Sequence, residues 1–283
     1  MKLLRFGERG SEKPGLLDAS GTIRDLSGRI DDIGPEALAS DSLARLAGLD
    51  PASLPAVDSG VRIGPCVADV GKLLCIGLNY SDHAAETGSP IPSEPILFMK
   101  ATTAIGGPND PVIAPRGSTK LDWEVELGIV IGRRASYVEE DEALDHVAGY
   151  CVVNDVSERE FQIERPGGQW TKGKSCDTFA PMGPWMVTRD EVPDPQVLPL
   201  WLEVNGHRFQ DGNTSTMIFD VKTIVSFASC YMTLEPGDVI PTGTPPGVGA
   251  GQKPQRFLQA GDVMRLGVGG LGEQRQEVRA WPG

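Results

Sequence analysis

Cysteine is scarce and scattered in this chain, which excludes a disulfide framework. The 283 residues include 5 cysteines, an odd number with no Cys-x-x-Cys pair. Such pairs are the usual mark of a structural zinc site or a redox motif, so neither is indicated. We interpret the thiols as reduced and mostly buried in a hydrophobic core, at positions Cys66, Cys75, Cys151, Cys176 and Cys230.

Long apolar runs and an excess of positive charge are also missing. No segment approaches the roughly 18 apolar residues of a membrane span, and the N-terminal sequence MKLLRFGERG lacks the apolar region of a secretory signal. The chain has 26 Lys and Arg against 39 Asp and Glu, a net charge of −13. Nucleic acid and anionic membranes are unfavourable partners for such an acidic protein. These features predict a globular, cytoplasmic protein.

Glycine and proline are plentiful, with 35 and 23 residues, which favours many turns and short strands. Residues 1–65 have the pattern of a small N-terminal domain, and residues 66–283 form the main domain. Strand candidates dominate the main domain without the regular strand–helix alternation of a doubly wound sheet. The sequence therefore predicts a strand-rich α+β fold. Short helices are expected over residues 81–87, 139–146, 157–164 and 221–232.

The stretch LDWEVELGIVIG, residues 121–132, places acidic side chains in a segment that is otherwise typical of a buried strand. Alternate strand residues share a face, so Glu124 and Glu126 would lie about 6–7 Å apart with like charge. Burying an ion costs on the order of several kcal/mol even after relaxation. Two interpretations are open. Either this is an edge strand with one solvated face, or a divalent cation offsets the repulsion.

Asp155 directly follows the apolar strand GYCVVN. Ser157 and Glu160 have the spacing of a capping box, so a helix is expected just past Asp155. Asp155 could cap that helix, or it could join Glu124 and Glu126 as a third hard oxygen ligand. Such a ligand set suits Mg²⁺, Mn²⁺ or Ca²⁺ rather than zinc.

His83 and Glu86 lie three residues apart in NYSDHAAETG, which places them on one face of a short helix. A glutamate held against a histidine is a plausible general base for water. The alternative is a solvated surface pair.

Two lysines also have two possible roles. They are Lys174, in QWTKGKSCDTF, and Lys100, which ends ILFMK. Each is either solvated or placed to neutralise an enolate or a carboxylate.

Two glycine-rich stretches differ in what they indicate. The Gly-x-Gly-x-x-Gly pattern at 267–272 has eleven residues after it, too few for a dinucleotide-binding unit, so no nucleotide cofactor is expected. The stretch TGTPPGVG, residues 242–249, lacks the lysine of a phosphate loop. It is either a tight loop or a backbone cradle in which the Thr244 hydroxyl is aimed at a ligand carboxylate.

Seven stretches, in order across roughly residues 70–280, together resemble the fumarylacetoacetate hydrolase superfamily. They are GLNYSDHAAE, PILFMKATTA, DWEVELGIVIG, GYCVVNDVSEREFQ, QWTKGKSCDTFAPMGPW, DGNTSTMIFDV and PTGTPPGVG. The resemblance implies a mixed β-roll, here preceded by the N-terminal domain, and a homodimer. It implies a divalent metal, usually Mg²⁺ or Mn²⁺, on Glu124, Glu126 and Asp155. It also implies catalytic roles for His83 and Glu86 on a mobile lid and for Lys174, and contacts to the substrate from Arg159, Gln162 and Thr244, to which we add Lys100.

The resemblance also implies an activity. The chain looks like the branch often labelled ureidoglycolate lyase, which includes hydrolases of 2,4-diketo-3-deoxy sugar acids from rhamnose and fucose breakdown. We therefore expect metal-dependent cleavage of a carbon–carbon bond in a 2,4-diketo acid, giving pyruvate and a hydroxy acid such as lactate. The alternatives are a ureidoglycolate lyase, an oxaloacetate decarboxylase, or a non-catalytic protein that binds a metal or a ligand.

Overall fold

Strands supply most of the regular structure in the computed structural model, which describes residues 1–283 apart from the side chain of Thr87. The strand-rich α+β class is confirmed. In chain order the strands are β1 (Lys2–Phe6), β2 (Lys13–Leu17), β3 (Ile23–Asp25), β4 (Leu73–Gly77), β5 (Ile96–Lys100), β6 (Ile105–Gly106), β7 (Val112–Ile113), β8 (Leu121–Asp122), β9 (Val125–Ile131), β10 (Val147–Asn154), β11 (Ser157–Glu158), β12 (Ala180–Pro181), β13 (Met186–Thr188), β14 (Pro199–Val204), β15 (His207–Asn213), β16 (Val239–Pro241), β17 (Val263–Val268) and β18 (Gly272–Arg279).

Helices are fewer and mostly short. The α-helices are α1 (Pro35–Leu38), α2 (Ser40–Ala47), α3 (Ser81–Thr87), α4 (Thr171–Lys174) and α5 (Val221–Tyr231). A π-helix covers Glu160–Glu164. Single 3₁₀ turns lie at Pro51–Ser53, Thr102–Ala104, Ala143–His146, Arg189–Glu191, Thr214–Thr216 and Gly249–Gly251. In the described part of the chain, no helix has the length and apolar character needed to cross a membrane.

Two of the four predicted main-domain helices are confirmed. Helix α3 covers the predicted residues, and its C-cap Gly88 takes the left-handed conformation (φ +66°) that glycine tolerates. Helix α5 ends one residue before its predicted end and is capped by Asp220, which accepts a hydrogen bond from the Thr223 N–H. The helix predicted over 139–146 is wrong, because only its last four residues form a 3₁₀ turn.

The helix predicted over 157–164 is also wrong. Ser157–Glu158 is the strand β11, which pairs with β8, and the π-helix follows it. The Ser157 hydroxyl donates to the Asp155 carbonyl at 3.1 Å instead of capping a helix. The Glu158 carboxylate accepts the Phe161 N–H at 2.8 Å in its place. Asp155 therefore caps no α-helix here.

The large sheet has nine strands in the order β3-β2-β1-β13-β10-β9-β16-β4-β5. Strand β9 lies inside this sheet, between β10 and β16, and all seven of its residues are buried. The interpretation of residues 121–132 as an edge strand with a solvated face is therefore wrong. Its acidic side chains face the protein interior, so their charges need partners there.

The N-terminal strands extend the large sheet, because β1 pairs with β13 in antiparallel register. Leu3, Leu16 and Ile33 belong to the same hydrophobic cluster as the core of the main domain. The boundary predicted at residue 65 stays a prediction, since the two segments share both a sheet and a core.

A second sheet of five strands, in the order β15-β14-β17-β18-β7, packs beside the large one. Buried amide side chains join the two sheets. Gln210 of β15 accepts the Val125 N–H at 2.9 Å, and Gln274 of β18 donates to the Val152 carbonyl at 2.8 Å. These contacts fix the start of β9 and the end of β10, which is where the acidic residues lie.

Candidate active site and metal centre

Three carboxylates meet where β9 begins and β10 ends. Glu124 directly precedes β9, Glu126 lies in it, and Asp155 directly follows β10. Each offers one oxygen, and these oxygens all lie within 4.8 Å of one another. The Asp155 N–H donates to the Glu124 carbonyl at 2.9 Å, so the backbone holds the two strand ends together. Three buried hard-oxygen donors at this separation suit a divalent cation such as Mg²⁺ or Mn²⁺.

The charges of the cluster support the same fit. Burial and the neighbouring charges of Asp155 and Glu124 raise the pKa of Glu126 well above its usual range. Burial acts on Glu124 as well, but Lys174 and Arg159 outweigh it and lower the pKa of Glu124 to about 2. A cation held by all three carboxylates would favour the charged form of Glu126. The donor set is therefore chemically suited to a divalent ion.

Two buried lysines contact the carboxylates. The Lys174 ammonium lies 2.6 Å from Glu124 Oε2 and 2.7 Å from Asp155 Oδ2. The Lys100 ammonium bonds the other Asp155 oxygen and donates to the Val156 carbonyl at 3.0 Å. Burial opposes the charge of Lys174, but Asp155 and Glu124 raise its pKa, so it stays a cation. The interpretation of either lysine as solvated is wrong.

His83 and Glu86 form a close pair on α3. His83 Nδ1 lies 3.0 Å from Glu86 Oε2, and the Gly247 N–H donates to Glu86 Oε1 at 3.0 Å. Their side chains are 10% and 20% exposed, so the pair is not a solvated surface pair. A carboxylate fixed by a backbone amide and a histidine is suited to accept a proton from water.

Arg159 and Gln162 were predicted to hold a substrate carboxylate. Arg159 Nε donates to Asp122 Oδ2 at 2.8 Å, Nη2 lies 2.7 Å from Glu124 Oε1, and Nη1 donates to Gln162 Oε1 at 3.1 Å. These contacts engage three of the five N–H groups of a guanidinium. The remaining two are the donors available for a ligand.

Thr244 sits in the loop after β16 but its hydroxyl is not aimed at open space. It donates to the Val125 carbonyl at 2.9 Å and accepts from Gln210 Nε2 at 2.7 Å. The loop backbone binds a carboxylate of the protein, because the Gly243 N–H donates to Glu126 Oε2 at 2.8 Å, and a cradle for a ligand stays a prediction. Gly243 has a φ of +94°, a conformation that favours glycine.

A cavity of about 230 Å³ brings most of these side chains together. Glu86 and Lys100 do not line the cavity themselves. Glu86 contacts His83 and Lys100 contacts Asp155, both of which line it. The roles assigned to these ten residues stay predictions. Those that line the cavity are His83, Glu124, Glu126, Asp155, Arg159, Gln162, Lys174 and Thr244.

Asp122 is a site residue that the sequence analysis did not select. Its carboxylate accepts the N–H groups of Gly249 at 2.6 Å and Ala250 at 3.0 Å, besides its bond with Arg159. It thus ties the loop after β16 to the guanidinium. Its alternation with Glu124 and Glu126 was visible, but Gly249 and Ala250 lie more than a hundred residues away in the chain.

The sequence and the fold are similar to those of known proteins. The model of the family described as fumarylacetoacetate (FAA) hydrolase, C-terminal, matches residues 72–279. A relative from Burkholderia cenocepacia strain J2315, named "Putative hydrolase", is 62% identical over 280 residues, which is 99% of each chain.

Two solved structures cover both ends of the chain as well. A 2-hydroxyhepta-2,4-diene-1,7-dioate isomerase from Mycobacterium marinum superimposes with a TM-score of 0.75 at 32% identity, over 100% of each chain. A maleylpyruvate hydrolase from Sphingobium sp. SYK-6, in complex with manganese(II) and pyruvate, superimposes with a TM-score of 0.81 at 29% identity, over 99% of each chain.

Proposed function

Because the chain belongs to the fumarylacetoacetate hydrolase family, whose members are enzymes that act on small molecules, we propose that it hydrolyses a carbon–carbon bond of a 2,4-diketo acid with Mg²⁺ or Mn²⁺. The observation that carries the proposal is the His83–Glu86 pair, whose histidine lines the same cavity as the three carboxylates. The substrate is an acylpyruvate, such as a 2,4-diketo-3-deoxy-rhamnonate or -fuconate, whose products are pyruvate and lactate.

Different residues would bind the cation and the substrate. Glu124, Glu126 and Asp155 would hold the divalent cation, which when bound supplies Lewis acidity to the keto and carboxylate oxygens of the pyruvate half. Arg159 directs its two remaining N–H groups to the substrate carboxylate, and Gln162 holds the guanidinium in place at 3.1 Å. The substrate is thereby oriented before any bond changes.

The hydrolytic step consumes one water. The His83–Glu86 pair takes a proton from the water, and the water oxygen adds to the C4 carbonyl. The C3–C4 bond then breaks, and its electron pair stays on C3 as the enolate of pyruvate. The Lys174 ammonium stabilises the negative charge that develops. The proton that the pair took from the water is then delivered to C3, which completes pyruvate and restores the pair, and the acyl arm leaves as a carboxylic acid.

The same pair distinguishes this proposal from its rivals. Oxaloacetate decarboxylation and ureidoglycolate cleavage need no water as a nucleophile, and neither does isomerisation. A buried histidine–glutamate pair held by a backbone amide is therefore better matched to hydrolysis.

The test is a product assay on a panel of acylpyruvates, oxaloacetate and ureidoglycolate, with Mn²⁺ present. We expect pyruvate and the matching carboxylic acid in equal amounts from the acylpyruvates. Carbon dioxide from oxaloacetate, or glyoxylate from ureidoglycolate, at a higher kcat/KM than any acylpyruvate would overturn the proposal. Failure to turn over any compound would favour a non-catalytic binding protein.

The proposed enzyme is a homodimer that works in the cytoplasm. Two exposed tyrosines support an interface near α5: Tyr137 is 76% exposed, and Tyr231 is 63% exposed and packs on Phe227 at 4.9 Å between ring centroids. Large exposed aromatic side chains are enriched at protein interfaces. Light scattering on the purified protein checks the mass, and a monomer at micromolar concentration would contradict the dimer.

A further inference from the structure

One wall of the cavity is aromatic and apolar. Trp170 packs edge-on against Phe98 with 5.3 Å between ring centroids, and it lies against the backbone of Gly77. A Cβ added at Gly77 would fall 2.4 Å from the Trp170 ring, so the glycine is what lets the indole lie here. We call Gly77, Phe98 and Trp170 the apolar wall.

The apolar wall adjoins the charged end of the cavity. The Lys174 ammonium lies 5.3 Å from the Phe98 ring centroid, on the side of the carboxylates. Passing outward, a ligand would therefore meet the carboxylates first, then Lys174, then Phe98 and Trp170. A keto acid held by its carboxylate at the charged end would lay its acyl arm along this wall.

The cations of this region are engaged elsewhere. The two that line the cavity, Arg159 and Lys174, bind Glu124 at its charged end. In the segment that carries Trp170, Lys172 donates to the Pro166 carbonyl at 2.7 Å. Arg165 of the same segment stacks on Phe161 and pairs with Glu160. Among the described lining residues, Lys174 is the one Lys or Arg side chain beside the apolar wall, and its ammonium already binds Glu124 and Asp155 at the charged end.

We propose that the apolar wall selects acylpyruvates whose acyl arm is short and uncharged, and that it rejects arms that end in a carboxylate. The inference rests on the proposed function and names the substrate class of that site. The cavity volume of about 230 Å³ suits a small keto acid. A carboxylate on the wall would lose hydration without gaining a partner. Two of the similar structures are named for maleylpyruvate and for a heptadienedioate, which are both diacids. The inference therefore gives this chain a different class of substrate from the compounds in those names.

The test uses two substrates that differ at one position. Butanoylpyruvate ends in a methyl group, and succinylpyruvate carries a carboxylate in its place. With Mn²⁺, we expect kcat/KM to be at least about a hundredfold higher for butanoylpyruvate, because the unpaired charge is penalised on the wall. Equal or better turnover of succinylpyruvate would overturn the inference while leaving the hydrolase proposal standing.

A binding measurement separates the two proposals when turnover fails. If neither these two compounds nor any other acylpyruvate is cleaved, the hydrolase proposal is wrong. Calorimetric titration of the Mn²⁺-loaded protein with both compounds still tests the wall. Tighter binding of butanoylpyruvate supports the inference. Equal or tighter binding of succinylpyruvate overturns it.

A charge added at the cavity mouth should change the selection. Ile163 lines the cavity and is 64% exposed, so Ile163→Arg places a cation there without a large cost in folding. We expect KM for succinylpyruvate to fall up to about fivefold, the usual limit for an exposed ion pair, with no gain for butanoylpyruvate. Val197→Arg, at a 57% exposed position outside the lining, is the matched control and should change neither substrate. An equal gain in both variants would show a general charge effect and contradict the role of the wall.

Discussion

At the scale of single residues, the groups that contact each acidic side chain determine its charge state and its role. Glu124 meets two cations and stays ionised, whereas Glu126 meets other carboxylates and has a raised pKa. Glu86 contacts a histidine and a backbone amide, and Asp122 contacts a guanidinium and three backbone amides. Residue types and spacing alone could predict the carboxylate triad and the contact between His83 and Glu86. They could not predict Asp122, because its function depends on contacts that only the fold creates.

Replacing Glu86 with Gln should separate proton transfer from metal binding. The amide keeps the hydrogen-bond reach but cannot accept a proton from water. We expect kcat on the best acylpyruvate to fall roughly 10²–10⁴-fold, with the affinity for Mn²⁺ unchanged. Glu94→Gln, at an exposed position nearby, is the control and should keep the wild-type rate. Near wild-type turnover by Glu86→Gln would exclude it as part of the base.

Replacing Asp122 with Asn should destabilise the protein. The change removes one charge of a buried ion pair and leaves three amide donors and a guanidinium with a single oxygen to share. We expect the free energy of unfolding to fall by about 3–5 kcal/mol, measured by denaturant titration. Asp211→Asn, in an ion pair whose aspartate is 80% exposed, should cost less than about 1 kcal/mol. Similar losses in both variants would contradict the role given to Asp122.

At the scale of secondary-structure elements, the sequence correctly predicted those helices whose ends are determined by nearby capping residues. Helices α3 and α5 follow from their capping residues and spacing. The segment 157–164 was misassigned because Glu158, rather than Ser157, receives the N–H of Phe161. The position of β9 inside the sheet could not be predicted, since β16, which covers its other side, lies more than a hundred residues later.

Helix α3 belongs to a segment, residues 80–92, that we expect to close over the cavity when a keto acid binds. Closure would exclude bulk water and bring the His83–Glu86 pair toward the substrate. Amide hydrogen exchange across this segment should slow when pyruvate and Mn²⁺ are added together. Amides of α5 serve as the internal reference and should not change. Unchanged exchange in the segment at saturating ligand would contradict a lid.

Strand β10 approaches β13 so closely at Gly149 that no side chain fits. A Cβ there would fall 2.2 Å from the Val187 carbonyl oxygen. Because β13 joins the N-terminal strands to the large sheet, Gly149→Ala should lower the free energy of unfolding by about 3 kcal/mol. Gly28→Ala, where a Cβ has no neighbour within 4 Å, should change it by less than about 0.5 kcal/mol. Equal stabilities in thermal unfolding would contradict this account of the sheet.

At the scale of the whole molecule, the fold class and the convergence of the three carboxylates could be predicted from the sequence, but the contacts among the candidate site residues could not. The predicted triad converges within 4.8 Å because β9 and β10 are neighbours in antiparallel register. Nothing in the sequence indicated that Lys174 bridges two of these carboxylates or that Trp170 forms part of the apolar wall. Both depend on α4 and the residues before it packing on β5, far away in the chain.

The central claim is that a divalent cation on Glu124, Glu126 and Asp155 is required for acylpyruvate hydrolysis. The most direct measurement is the rate of pyruvate release from butanoylpyruvate by metal-depleted protein, before and after titration with Mn²⁺. For the wild type we predict no turnover in excess chelator and full recovery at about one Mn²⁺ per chain. For Glu124→Gln we predict that more Mn²⁺ is needed and that only part of the activity returns. Full activity in excess chelator, or a Glu124→Gln titration identical to that of the wild type, would contradict the account.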